Sequence, residues 1–281
     1  MPVRAAYASQ FYSGDCARSI GKFIAGFSVP SEPATPVAGV VPHAGWMYSG
    51  AVAAKVFESI RRRKNPETFV IFGAVHRWAG INGIYARGGW QTPLGVMEVD
   101  EDLAARILDA AHEWIDDDPK VHQGEHSIEV ELPFLKHLFP KAKFVPVAVN
   151  PDSRALEVGR RVGEILKEYE RTAVVIGSTD LTHYGDAYSF TPAGYGSGAH
   201  RWMQQNDARI LQLAEEMRAP EILEEARSHR NACGAGALAA TVEAARALGA
   251  QRGHLVEYTT SYDVVPEGSF RMAVGYGGLL F

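Results

Sequence analysis

Short runs of β-branched and aliphatic residues alternate along the chain with longer segments whose apolar positions recur every three or four residues. The short runs predict strands at Val37–Val41, Thr68–Gly73, Gly83–Ala86, Val96–Val99, Lys143–Val149, Thr172–Ser178, His254–Tyr262 and Phe270–Tyr276. Val264-Val265-Pro266-Glu267-Gly268 suits a turn, so the last two strands are expected to form a hairpin. The periodic segments predict helices over Cys16–Phe27, Ser49–Arg63, Glu101–Trp114, Ser127–Phe139, Arg154–Glu170, Ala199–Met217, Ala219–Ser228 and Cys233–Leu248. Asp100 and Ser153 each stand just before a periodic run and read as N-caps. "FVIFG" and "TAVVIGS" are apolar throughout, as expected of strands covered on both sides. Strands alternating with helices make this an α/β fold with a mainly parallel, mixed central sheet and helices on both faces. No repeat or compositional break divides it, so residues 1–281 read as a single α/β domain.

The polar chemistry gathers where the apolar runs stop. Val37–Val41 is followed by Pro42 and His43, Thr68–Gly73 by Ala74, Val75 and His76, and Thr172–Ser178 by Thr179, Asp180, Leu181, Thr182, His183 and Tyr184. Three strands thus deliver a histidine near their carboxyl ends. Neighbouring parallel strands would bring them together at the sheet edge where ligands bind in such folds. The plainer alternative is histidines that cap or line turns. Cys233, in "RNACGAGALAA", stands at the predicted start of a helix, where the dipole and free N–H groups favour a thiolate. It also suits a small buried residue in a closely packed helix. In "HQGEHSIEVELPF", His126 and Glu129 share a helical face, with Glu125 and Glu131 adding carboxylates. His126 either lines a site or sits in the first turn of a capped helix, with Glu129 supporting the cap. "GYGSGAH" (Gly194–His200) reads as a loop able to cover a site.

Composition narrows the classes of function. The chain has 281 residues, 46% hydrophobic and 22% charged, with a net charge of −5. No nucleic acid or anionic membrane is called for as a partner. The basic run Arg61–Lys64 follows a predicted helix and suits its dipole. Two cysteines are too few for a disulfide framework at this length. No signal-peptide core and no apolar run long enough to span a bilayer is visible, so the expected location is cytoplasmic.

Taken together, "YASQFYSGD", "VVPHAGWMYSG", "GAVHRWAG", "EHSIEVELPFL", "VVIGSTDLTHYG" and "CGAGAL" resemble the Memo family, in order and spacing from Tyr7 to the closing "MAVGYGGLL". That family is related in fold to the class III extradiol dioxygenases, non-haem iron enzymes that cleave catechol rings. The match is to the prokaryotic branch, whose members are often associated with a radical-SAM protein, so such a partner is implied. The resemblance implies a metal site made by His43, His76 and Cys233, with Asp180 and His183 beside it and His126 lining the same pocket. The dioxygenases use two histidines and a carboxylate. A thiolate in the third position is softer and favours copper(I), zinc or thiolate-bound iron, so ring cleavage does not simply transfer.

Three functions follow as expectations. The first is a metal-dependent redox enzyme holding iron or copper, with His183 as acid or base oriented by Asp180. Trp46, Tyr48 and Tyr184 would supply pocket walls, with Glu129 nearby. The second is a non-catalytic module that binds a peptide, a small molecule or the metal itself. Arg77 and Arg230 are the nearest candidates for a phosphate contact. The third is zinc-dependent hydrolysis assisted by Glu129 or Asp180.

Overall fold

The structure, a computed structural model, describes residues 2–12, 14–77 and 80–281. Ser13 of "YASQFYSGD" and Trp78 and Ala79 of "GAVHRWAG" lie outside the described residues. The strands are β1 (Val3–Arg4), β2 (Ala38–Val41), β3 (Thr68–Gly73), β4 (Asn82–Ile84), β5 (Gly89–Thr92), β6 (Gly95–Glu98), β7 (Ile115–Asp117), β8 (Lys143–Ala148), β9 (Ala173–Ser178), β10 (His183–Tyr184), β11 (His254–Thr260) and β12 (Ala273–Leu280). The helices are α1 (Cys16–Ile24), α2 (Trp46–Arg61), α3 (Glu101–Ala111), α4 (Leu132–Leu138), α5 (Arg154–Glu168), α6 (Ser197–Glu215), α7 (Ala219–His229), α8 (Ala235–Ala247) and α9 (Ser261–Val264).

The main sheet runs β10-β12-β2-β9-β3-β8-β4-β7, with β11 on β12, and β1, β5 and β6 form a small second sheet. Its centre, β2, β9, β3 and β8, is parallel, while β12, β11 and β10 join antiparallel on one side and β4 pairs antiparallel with β8 on the other. Every residue of β2 and β3 is buried, because helices cover both faces. On one side α8 crosses β2, β3 and β9, with α5 behind it; on the other, α2 lies over β2, β11 and β12. Small residues let these layers approach closely. A Cβ on Gly159 of α5 would lie 2.2 Å from the Ala240 carbonyl of α8, and one on Gly177 of β9 would lie 2.3 Å from Thr241 Oγ1.

The predicted strands and helices form, with shifted ends and four exceptions in kind. Segment 127–139 is not one helix. A 3-10 turn at Glu129–Glu131 leads into α4, because Pro133 lacks the N–H an interior helical residue must donate and is accepted only in the first turn. Cys233 lies in the turn before α8 rather than on its first residue. Ser153 makes no side-chain cap; the Asp152 carboxylate accepts from Arg154 N instead, at 2.9 Å. The loop expected over Gly194–His200 is helical from Ser197. Asp100 does cap α3, accepting from Leu103 N. The predicted hairpin strands pair antiparallel as β11 and β12, with α9 between them, but β12 continues to Leu280 through glycines whose missing side chains make room for Asp207, Leu211 and α2.

Candidate metal centre

Register explains how distant residues meet. In the parallel centre Val41 of β2 lies beside Ser178 of β9, and Phe72 of β3 beside Gly177. The three strands therefore end together, and the segments that follow emerge side by side. His43 leaves β2, His76 leaves β3 and Asp180 leaves β9. Cys233 arrives from the opposite direction, because its turn interlocks with the β9 exit. Cys233 N donates to the Asp180 carbonyl at 3.2 Å, Asp180 N to Cys233 Sγ at 3.3 Å, and Gly234 N to Thr179 Oγ1 at 2.9 Å. One donor atom from each of His43, His76 and Cys233 lies within 4.8 Å of the others, and His43 Nε2 is 3.2 Å from Cys233 Sγ. His126 completes a histidine cluster: its ring stacks on His76 at 4.7 Å between centroids and meets His43 edge-on at 5.3 Å.

The polar groups behind the histidines set their tautomers. The Ser178 hydroxyl donates its single proton to the Ser127 carbonyl at 2.6 Å. It must then accept from His43 Nδ1, 2.8 Å away, which leaves the Nε2 lone pair turned towards Cys233. His76 Nδ1 lies 3.0 Å from both oxygens of Glu125, so it donates there and its Nε2 is left as the ligand atom. Glu125 is itself fixed by the backbone N–H groups of His76 (3.0 Å), His126 (2.8 Å) and Ser127 (2.9 Å). A carboxylate behind a histidine is the usual way to orient a metal-binding imidazole and raise its basicity.

Electrostatics bear differently on each donor. Burial, with the charge that His126 and His76 would carry, holds His43 well below the usual histidine range, so it is neutral and able to ligate. Burial would also lower His76, but the hydrogen bond and charge of Glu125 outweigh it and raise the ring. Burial opposes ionisation of Glu125, yet its bonds to His76 and to backbone N–H groups hold it well below the usual carboxylate range. Burial pushes the Cys233 thiol up, and the Asp180 carboxylate adds to this. The helix-start argument for a low thiol pKa is thereby overturned for the cation-free protein: desolvation outweighs the dipole. Burial raises Asp180 to about 7 despite the N–H bonds it accepts from His43 and Ala44.

His43 and His76 line a cleft of about 670 Å³, with Cys233 behind His43 rather than on the cleft wall. His126, His183, Asp180 and Tyr48 line it, together with Phe11 and Tyr188, which no sequence pattern singled out. Other expected site residues face elsewhere. Glu129 is fully buried and ties down the N-terminal segment, accepting from Tyr7 N, Ala8 N, Tyr12 Oη and Arg4 Nη1. Trp46 stacks on Phe134 at 3.9 Å and donates to the Val130 carbonyl. Tyr184 is buried in a separate aromatic cluster and donates to the Gly194 carbonyl. His183 Nδ1 donates to the Leu181 carbonyl at 3.1 Å, so backbone rather than Asp180 orients that ring. Arg230 is engaged by the carbonyls of Tyr188 and Ser189 and by the Phe190 ring, whereas Arg271 reaches the cleft rim. Glu125 was visible only as one carboxylate among several, and Ser178 only as the last residue of a strand. Their importance lies in hydrogen bonds across the sheet that spacing does not reveal.

The residues fit a cation. Zinc-sized ions bond imidazole nitrogen at about 2.0–2.1 Å and thiolate at about 2.3 Å, which places tetrahedral donors roughly 3.3–3.6 Å apart. The His43–Cys233 pair is already near that spacing, and His43 offers an unprotonated Nε2 beside the sulfur, whereas His76, raised by Glu125, gives up its Nε2 proton on ligating.

Comparison with known proteins agrees with the architecture. A MEMO1 family protein of Methanopyrus kandleri is 36% identical over 258 residues, covering 89% of this chain and 84% of its own. One from Thermococcus onnurineus is 35% identical over 288 residues, covering 98% of each chain. Among solved structures, an uncharacterized protein from Escherichia coli superposes with a TM-score of 0.57 at 12% identity, covering 85% of this chain and 98% of its own, a likeness of fold alone. The Memo-like protein family matches residues 4–280, and by that match and these relatives the chain belongs to the Memo-like family.

Proposed function

We propose that this protein is a metal-dependent redox enzyme whose cation is held by His43, His76 and Cys233. The observation that carries the reading is the pair of oriented rings: Ser178 and Glu125 each accept a hydrogen bond from Nδ1 and turn an Nε2 into the same small space as a cysteine sulfur. Two imidazoles and a thiolate favour copper(I), zinc or thiolate-bound iron over hard, oxygen-preferring cations. Bound iron or copper would supply electron transfer to or from a ligand in the cleft. His183 is the acid–base group of this reading. Burial lowers it and the Leu181 carbonyl fixes its Nδ1 proton, which leaves a neutral Nε2 as base in a ring that lines the cleft. Asp180 holds the His43 backbone in place rather than the His183 ring.

Hydrolysis by bound zinc is the weaker alternative, because Glu129, one carboxylate it would use, is saturated by the N-terminal segment. Simple ligand binding without turnover is the other, with Arg271 at the rim as its one cleft-lining arginine among the described residues.

The test is anaerobic purification followed by elemental analysis and metal-edge absorption. One equivalent of iron or copper with nitrogen and sulfur ligation is expected, and reconstituted His43→Ala and Cys233→Ala should each lose stoichiometric binding. Unchanged metal content in both variants would overturn the ligand set. Redox-silent zinc without oxygen uptake would favour hydrolysis. His183→Ala should keep the metal and lose turnover; full activity would remove it as the acid–base group.

A further inference from the structure

The cleft over the donors is not a single chamber. A second pocket of about 460 Å³ adjoins it, and Phe11, Gly45 and Tyr48 line both. The two differ in chemistry. The first holds His43, His76, His126, His183 and Asp180. The second is lined by Phe23, Trp46, Met47 and Tyr12 with the uncharged Gln10 and Ser19, and no charged residue borders it among the described residues. Phe11 is the partition: its ring stacks on His126 at 4.6 Å and also forms a wall of the side pocket. Met47, at the side pocket, is 67% exposed, a large apolar side chain held in water beside an apolar cavity.

Gly45 sits at the junction, and its identity has no backbone reason. Its φ of −56° and ψ of 134° suit any residue, and a Cβ there would touch only the Phe11 carbonyl oxygen, at 3.9 Å. The position is the N-cap of α2, where Ser, Thr, Asp or Asn would add a hydrogen bond that glycine does not. A side chain at Gly45 would stand on the wall that the two pockets share. The sequence forgoes a helix cap and keeps that shared wall free of a side chain.

We infer that the ligand of this protein is a small amphiphile, with a polar, metal-binding head over His43, His76 and Cys233 and an uncharged apolar tail passing Gly45 into the pocket of Phe23, Trp46 and Met47. This rests on the metal-centre reading above for the head; the tail rests on the second pocket alone.

The probe is a series of 1-alkylimidazoles, methyl to octyl, titrated into the cobalt(II)-loaded protein. The visible cobalt bands report head binding. Burial of a methylene favours binding by up to about fourfold, so affinity should rise two- to fourfold per carbon until the side pocket is filled. In Gly45→Thr, which gains a helix cap, and in Met47→Glu, which changes an exposed first-turn residue, the gradient should fall below roughly twofold over the whole series. Leu255→Glu, at an exposed apolar position on β11 outside both chambers, should keep it. If no imidazole of any length perturbs the cobalt bands, the metal-centre reading fails and the inference with it. If methyl and octyl perturb the bands at the same concentration, or if the gradient survives in both Gly45→Thr and Met47→Glu, the side pocket does not take the tail and this inference alone is overturned.

Discussion

Glu125 illustrates how much of the proposed metal site lies outside its ligands. Its two oxygens receive the His76 ring and three backbone N–H groups, so a single carboxylate positions His76, His126 and Ser127. Replacement by Gln keeps the size but puts an amide NH₂ against groups that are all donors. Glu125→Gln should fold, yet bind zinc about 10–100-fold more weakly in competition with a chromophoric chelator, the usual effect of losing such a partner. Affinity equal to the wild type would show that His76 needs no support. The Glu125 backbone is held as well: Arg4, stacked 4.1 Å over Trp90, donates to the carbonyls of His122 and Glu125. The N-terminal segment is thereby tied to the loop that positions two site histidines.

At the scale of elements, the legible part of the fold was the part governed by local pattern. Apolar runs such as Phe69–Phe72 and Val174–Ile176 could be nothing but central strands, and the histidines beyond them followed. What the chain did not disclose depends on partners far away. The strand predicted at Phe270–Tyr276 stops short of the end of β12 because Gly275, Gly277 and Gly278, which answer to Asp207, Leu211 and α2, mask its continuation to Leu280. Two-residue strands such as β10 exist only because β12 is there to pair with. Glu129 and Glu125 look alike in "GEHSIEVE", yet one serves the N-terminal segment and the other the His76 ring; backbone geometry, not residue type, separates them. The α5–α8 contact is a further non-local demand. Gly159→Ala would force a methyl against the Ala240 carbonyl, and overpacking of this kind costs about 1–3 kcal/mol. The expected outcome is a lower midpoint of urea unfolding with unchanged metal stoichiometry. A neutral midpoint would mean that the two helices separate without penalty.

For the molecule as a whole, two buried groups away from the metal ligands make stability depend on pH in opposite directions. Burial holds His122 down to about 4, with its Nε2 proton on the Gly83 carbonyl. Below its ordinary 6.5 the unfolded chain takes a proton that the fold refuses, so stability is lost as pH falls from 6.5 towards 4, by on the order of 3 kcal/mol. Burial raises Asp207 to about 7, although Thr182 N and Tyr258 Oη donate to it. Its contribution is complete below the unfolded value of 3.8 and is lost as pH rises through 7, where the fold must carry a buried carboxylate. Between about pH 4 and 6.5 the two slopes oppose each other, so urea unfolding of the metal-free protein should vary little there, and Asp207→Asn should leave the His122 loss unopposed, with the midpoint falling more steeply towards pH 4. The same shallow profile in that variant would rule Asp207 out as the opposing group. Among the described residues no helix is long and apolar enough to cross a membrane.

The interlocked turns at Thr179–Asp180 and Cys233–Gly234 have a mechanical consequence as well as a chemical one. They bring together donors that lie 190 positions apart in the chain, His43 and Cys233, with His76 from a third segment. The cation proposed to be shared among them would be a removable staple across most of the polypeptide, and the unfolded chain has no matching set of sites to compete for it. Chelation should therefore lower the thermal midpoint and speed unfolding, not only silence chemistry. A melting curve recorded with and without chelator reads that staple directly, with no need to know the substrate.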